Sequence, residues 1–86
     1  MKYRIHRQFA KDLKKIPRSV QEQVFFLIES VVKNDSISSL GAKKISGYKN
    51  RYRLKIGNYR LGISVEEDEI IFRRVLHRQN IYKKFP

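Results

Sequence analysis

The sequence predicts an α+β fold: an N-terminal strand and a two-helix hairpin, then a three-strand antiparallel meander, with the helices packed on one face of the sheet. Two observations predict it. Apolar residues keep helical spacing between Phe9 and Val32 and switch to period two from Arg51 onward. Short turns then join consecutive strands, which makes those strands antiparallel neighbours. The 86 residues suit a single domain spanning 1–86. So short a chain builds only a small core, and any active site is expected as an open surface groove.

Lys2 to His6 alternates basic and apolar residues and reads as the first strand, with His6 structural on an apparent edge. Phe9, Leu13 and Ile16 recur at i, i+4 and i+7 and mark one stripe of a short helix. Pro17 ends that helix and suits the entry to the next, because its ring presets φ and no donor is needed there. From Arg18 to Lys33, Val20, Val24, Leu27, Ile28 and Val31 keep helical spacing, and Phe25, Phe26 and Val32 widen the stripe. This second helix is expected to be the main cover over the sheet. A polar, turn-rich linker follows at 34–39, and 40–49 reads as an irregular basic connection carrying Gly41 and Gly47.

Arg51 to Ile56 is then a strand, Gly57-Asn58 a two-residue hairpin turn, and Tyr59 to Val65 the returning strand. The acidic run Glu66 to Glu69 makes another turn before a last strand, Glu69 to Leu76. A turn at Glu67-Asp68 would put Ile70, Phe72 and Arg74 on the core face, whereas a one-residue shift would bury Ile71, Arg73 and Val75. Both faces carry an Arg, so the pattern does not choose. The tail from His77 to Pro86 has room for a helical turn. Where the first strand joins the sheet is not encoded in any local pattern.

Charge narrows the function. Twenty Lys and Arg against eight Asp and Glu leave a net charge of +12. Residues 43–60 hold Lys43, Lys44, Lys49, Arg51, Arg53, Lys55 and Arg60 with no acid, and 73–86 add Arg73, Arg74, Arg78, Lys83 and Lys84, again with none. Clustered cations repel one another within a small fold, and such clusters mark a polyanion binder, usually nucleic acid. Lys43, Lys44, Lys49, Arg51, Arg74, Lys83 and Lys84 are the candidate contacts. With no Cys and two well-separated His, neither a disulfide framework nor a structural zinc site is expected, and no cofactor is implied. The N-terminus has no signal-like apolar stretch, and the longest apolar run, Val24 to Ile28, is far too short to span a membrane. The expected location is cytoplasmic.

The hairpin fixes a register. Ile56 faces Tyr59, Leu54 faces Leu61 and Tyr52 faces Ile63 on the apolar side, while Lys55 faces Arg60, Arg53 faces Gly62 and Arg51 faces Ser64 on the other. Two cations sit directly across the ladder with a third beside them, an arrangement that costs stability. The side chains could simply splay into water. The alternative is that Arg53, Lys55 and Arg60 converge on a phosphate, where fixed cations lower the barrier to phosphodiester cleavage. Gly62, lacking a side chain, would leave the floor open for the ligand. In the tail, Arg78 could join this site. Tyr82 could stack on a base or bond a ribose hydroxyl, or else anchor the tail with Ile81 and Phe85. His77 is a candidate for proton transfer.

The segments Tyr52-Arg53-Leu54-Lys55-Ile56-Gly57-Asn58-Tyr59-Arg60-Leu61 and Val75-Leu76-His77-Arg78-Gln79-Asn80-Ile81-Tyr82, with Gly47-Tyr48 ahead of them, resemble the RelE/ParE toxin superfamily, specifically its RelE-type branch. The resemblance spans the chain in element order. It implies a RelE-like fold and a metal-independent endoribonuclease of a type II toxin–antitoxin system, an mRNA interferase that cuts messenger RNA in the ribosomal A site. The ribose 2′-hydroxyl would attack the adjacent phosphate and leave a 2′,3′-cyclic phosphate. By position, Arg60 would stabilise transition-state charge, Lys55 and Arg53 would hold the phosphate and manage the proton, Arg78 would act at the leaving 5′-oxygen, and Tyr82 would orient base and ribose. Some members carry Lys where this chain has Arg53. A guanidinium stays protonated and is a poor base, which leaves His77 or Lys55 for that role.

The same resemblance implies a cognate antitoxin whose acidic segment masks the basic groove, so the expected state is a hetero-oligomer, with ribosome and mRNA as the other partners. Two other readings remain open: a ParE-like inhibitor of DNA gyrase acting by protein contact, and an RNA-binding module without catalysis. Against the latter, the chain lacks the paired exposed aromatics of a stacking platform.

Overall fold

The computed structural model describes residues 2–34 and 41–86. The linker expected at 34–39 falls, beyond Asn34, outside the described residues, as do Met1 and Leu40. The elements are β1 (Lys2–Ile5), α1 (Arg7–Leu13), α2 (Arg18–Asn34), β2 (Lys43–Lys44), β3 (Arg51–Ile56), β4 (Tyr59–Glu66), β5 (Glu69–His77) and α3 (Arg78–Lys84). They build one sheet in the order β1-β5-β4-β3-β2. The α+β architecture and the meander are those expected.

The first strand lies parallel to β5, with Lys2 opposite Glu69 and Ile5 opposite Phe72. Parallel neighbours need a long crossover, and here the helices and the rest of the meander supply it. No turn ties β1 to its partner, which is why its place was not readable locally. At the other edge, Lys43 and Lys44 pair antiparallel with Arg53 and Tyr52, so the basic connection contributes a short edge strand.

The Gly57-Asn58 hairpin has the register the pattern dictates, from Ile56 opposite Tyr59 to Arg51 opposite Ser64. Gly57 adopts φ +55°, a conformation open to glycine and strained for most other residues. The apolar side of the hairpin joins Phe9, Ile16, Val24, Ile28 and Val31 of the helical layer in the main core.

The last strand resolves its two registers by using both. Ile63 lies opposite Phe72, but Gly62 lies opposite Arg74, so Arg73 is an extra residue in a β-bulge. Ile70 and Phe72 reach the main core before the bulge and Val75 after it, all with no solvent exposure. A bulge changes which face each later residue points to, and a strictly alternating reading cannot represent that.

The tail forms more than one turn. Ile81 and Phe85 are buried with Ile45 and Leu76 in a second, smaller cluster. Leu76 pairs opposite Arg60, on the face away from α1 and α2, so α3 covers the other side of the sheet. His6 and His77 play the same local part: each ring Nδ1 accepts a hydrogen bond from the backbone N–H two residues on, Gln8 at 3.1 Å and Gln79 at 3.2 Å. They are the N-caps of α1 and α3.

Candidate functional site

The hairpin end and the start of α3 meet. The Arg78 backbone N–H donates to the Asn58 carbonyl at 2.8 Å, which seats the first residue of α3 beside the Gly57-Asn58 turn. Arg60 Nη1 donates to the carbonyls of Gly57 and Tyr59, each at 2.9 Å, and so holds its guanidinium at the same turn. Lys55 stands directly across the ladder from Arg60 and is exposed. One turn along α3 from Arg78, the Tyr82 ring lies under the Arg53 guanidinium, 4.4 Å from carbon to ring centroid. That separation is within cation–π range. Lys55, Arg60 and the backbone of Arg78 thus meet at the turn, and the Arg53–Tyr82 pair lies next along the same side of β3.

Tyr82 does not anchor the tail. It is 63% exposed, whereas Ile81 and Phe85 are 0% and 4% exposed and form the buried contacts. Arg53 Nε, by contrast, is buried and has no hydrogen-bond partner among the described residues. A buried, unpaired donor is costly, and an incoming phosphate oxygen would satisfy it.

Three expected features are placed elsewhere. Gly62 is not an open floor for a ligand, because the Phe85 ring occupies it: a Cβ added to Gly62 would lie 2.6 Å from that ring. The missing side chain makes room for the tail. His77 pairs opposite Tyr59, and the two rings meet edge to face at 5.4 Å. With Nδ1 engaged in the helix cap, His77 is not brought to the cationic cluster. Arg74 is committed to Asp12, its Nε and Nη2 donating to the two carboxylate oxygens at 2.8 and 3.0 Å.

Asp12 was not singled out from sequence, and its signal was slight: an acid flanked by the stripe residues Phe9 and Leu13. It is 4% exposed and also accepts from the Val75 N–H at 3.2 Å. Asp12 therefore ties α1 to β5 just past the bulge. Of the remaining basic candidates, Lys43 lies opposite Arg53 on β2, and Lys43, Lys44, Lys49, Lys83 and Lys84 are all exposed. Arg51 is half-buried. The acidic run lies away from the cluster, although Glu22 of α2 lines a hollow beside Lys55 and Gly57. Glu66 and Glu69 pair with Arg4 at 3.9 and 3.3 Å, and Glu66 also with Arg73 at 3.5 Å, at the opposite end of β4 from the Gly57-Asn58 turn.

Comparison with known proteins shows the family. The family described as ParE toxin of the type II toxin–antitoxin system parDE matches residues 3–82. The toxin RelE3 of Methanocaldococcus jannaschii is 47% identical, with all of both chains covered. Among solved structures, the RelB–RelE antitoxin–toxin complex from Methanococcus jannaschii matches with TM-score 0.84 and 46% identity over 95% of this chain and 98% of that one. The isolated Escherichia coli RelE toxin matches with TM-score 0.73 over 96% of this chain and 92% of that one, a likeness of fold at 20% identity. Fold, family match and close sequence likeness converge, and the chain belongs to the RelE/ParE superfamily of type II toxin–antitoxin toxins.

Proposed function

We propose that this toxin is a metal-independent endoribonuclease that cleaves messenger RNA in the ribosomal A site and is neutralised by a cognate antitoxin. The observation that carries the reading is that Lys55, Arg60 and the first residue of α3, Arg78, meet at the Gly57-Asn58 turn, with the stacked Arg53–Tyr82 pair next along the same side of β3. In the proposed reaction the ribose 2′-oxygen bonds to phosphorus and the bond from phosphorus to the 5′-oxygen breaks, leaving a 2′,3′-cyclic phosphate. Negative charge grows on the non-bridging oxygens. Arg60, held at the rigid turn, meets that charge, and Arg53 and Lys55 hold the phosphate. Arg78 stabilises the leaving 5′-oxygen, which takes its proton from water. The 2′-hydroxyl proton passes to Lys55 as the neutral amine, which thereby becomes the ammonium that holds the phosphate; a guanidinium stays protonated and cannot take it. Tyr82, exposed and already stacked on a cation, offers its ring to a base or its hydroxyl to the ribose.

Crystallised relatives include RelB–RelE complexes, which supports a protein antitoxin as the partner of this chain. A cationic surface with the acidic run Glu66 to Glu69 at the far end of β4 suits an acidic segment as the mask.

The second reading, inhibition of DNA gyrase through protein contact, is favoured by the ParE description of the matching family. One preparation of the protein, assayed on message-programmed ribosomes and on gyrase supercoiling, separates the two. The endonuclease reading expects cut message and unaffected supercoiling. Intact message with blocked supercoiling would replace it by the gyrase reading.

A further inference from the structure

A second basic hollow lies along the same strand as the cationic cluster. It is a cavity of about 460 Å³ bounded by His6, Tyr48, Arg51, Arg73, Arg74 and Lys84, with Phe85 and Pro86 as its wall toward the tail. Two of its four cations are already partnered: Arg74 by the buried Asp12, and Arg73 by Ser64 Oγ at 2.6 Å and by the partly exposed Glu66 at 3.5 Å. Arg51 and Lys84 have no carboxylate partner among the described residues. Arg51 Nη1 is moreover buried without any hydrogen-bond partner among them. A guanidinium nitrogen withdrawn from water and left unpaired is a standing cost, and a cavity lined by cations is where an anion would remove it.

We propose that this cavity is a second phosphate subsite, seating a backbone phosphate of the bound RNA away from the bond that is cut. The proposal rests on the endonuclease reading and adds a place to it. Arg51, Arg53 and Lys55 alternate along β3, so successive side chains on that side are about 6.6 Å apart. That spacing is close to the separation of successive phosphates along an extended single strand. What favours a nucleic-acid backbone over an extended acidic peptide of the same repeat is that it also carries bases, for which the exposed Tyr82 ring is a stacking surface. Phe85, seated on Gly62, separates the Arg51–Ser64 pair from the Lys55–Arg60 pair. A strand spanning the two would pass the exposed Tyr82 ring, where a base could stack. Arg73 enters the subsite because the bulge places it there, anchored by Ser64.

The test uses fully 2′-O-methylated single-stranded RNA, which resists cleavage, as a trinucleotide and as a nonamer, with affinities measured by fluorescence anisotropy over a range of KCl. Arg51→Met keeps the buried stem and removes the charge. It should weaken nonamer binding about tenfold, with a smaller loss on the trinucleotide, and lower the slope of log affinity against log salt by about 0.7, one phosphate contact in a single strand. Arg51→Lys should recover most of the slope. Thermal melts of the same variants control for folding, and Arg73→Met gives an independent probe of the same cavity. Wild-type affinity and slope in both folded Met variants overturns the subsite while message cleavage by the wild type leaves the endonuclease reading intact. Loss of antitoxin binding with unchanged RNA binding also overturns it and assigns the cavity to the protein partner. A wild type that neither binds RNA nor cuts message overturns both.

Discussion

At the scale of single residues, the site is a set of cations held in costly positions. Arg60 and Lys55 face each other across a ladder, which costs some tenths of a kcal/mol, and Arg60 uses Nη1 to bond the turn carbonyls and stay in place. Arg60→Ala should relieve that repulsion and leave the fold intact, yet lower the single-turnover cleavage rate on programmed ribosomes by about 10²–10³. A normal rate in a folded variant removes Arg60 from the chemistry. Tyr82 makes a sharper case, because it is exposed while its neighbours Ile81 and Phe85 anchor the tail. Tyr82→Ala should leave the melting temperature nearly unchanged and lose about 1–3 kcal/mol of RNA binding or positioning. If the ring alone matters, Tyr82→Phe keeps most activity. If the hydroxyl contacts the ribose, Phe slows the chemical step. A lower melting temperature for Ala with wild-type cleavage would return Tyr82 to a structural role. Asp12 is the converse, a residue whose work is in the fold. Asp12→Ala strands the Arg74 guanidinium, which is mostly buried, and should cost about 3 kcal/mol, read as a melting temperature lower by more than about 10 °C.

At the scale of elements, what was legible in the sequence and what was not divide along a physical line. The β3–β4 hairpin was readable residue by residue, because a two-residue turn with Gly57 fixes register and register fixes faces. The main stripe of the helical layer was readable because it is periodic, but Phe25 and Phe26, expected to widen it, point to solvent at 51% and 72% exposure. The last strand was not, because the bulge at Arg73 sets the residues before and after it in different registers. Bulges arise from the fit to neighbouring strands, a tertiary cause that leaves no mark in local alternation. Gly62 was misread for a related reason: a missing side chain shows that something approaches closely, not what. Here it is Phe85, twenty-three residues downstream. That contact makes the position of α3 depend on Gly62. Gly62→Ala should push the ring away, destabilise by about 1–3 kcal/mol, and loosen α3. The cleavage rate should fall although residue 62 touches no RNA. Amide hydrogen exchange in 78–85 is the direct readout: faster exchange there, with β3 and β4 still protected, is expected. Unchanged exchange would show that the sheet yields instead and that the tail is independent of this contact.

At the scale of the whole molecule, charge is distributed rather than balanced. The chain carries +12, yet four of its eight acids, Glu66 to Glu69, turn the corner at one end of β4, where Glu66 and Glu69 pair with Arg4 and Glu66 also with Arg73. The other end, around Gly57-Asn58, holds Lys55, Arg60 and Arg78 with no acid beside them in the sequence. Such a distribution attracts a polyanion to one end, and it also destabilises the free fold through repulsion among like charges. Salt screens both effects, with a Debye length of about 10 Å at 0.1 M, so it should act in opposite directions on stability and on binding. Raising KCl from about 50 to about 200 mM should raise the melting temperature of the free toxin, as repulsion weakens, and lower its affinity for single-stranded RNA, as each counterion released on binding gains less entropy in the saltier solution. A double variant, Lys55→Met with Arg60→Ala, removes the facing pair and should flatten both dependences together. Calorimetry and anisotropy on the same salt series measure the two sides. A melting temperature that is flat or falls with salt in the wild type would mean that the cationic end is already relieved by its own geometry, and that the antitoxin adds stability by contact rather than by neutralising charge.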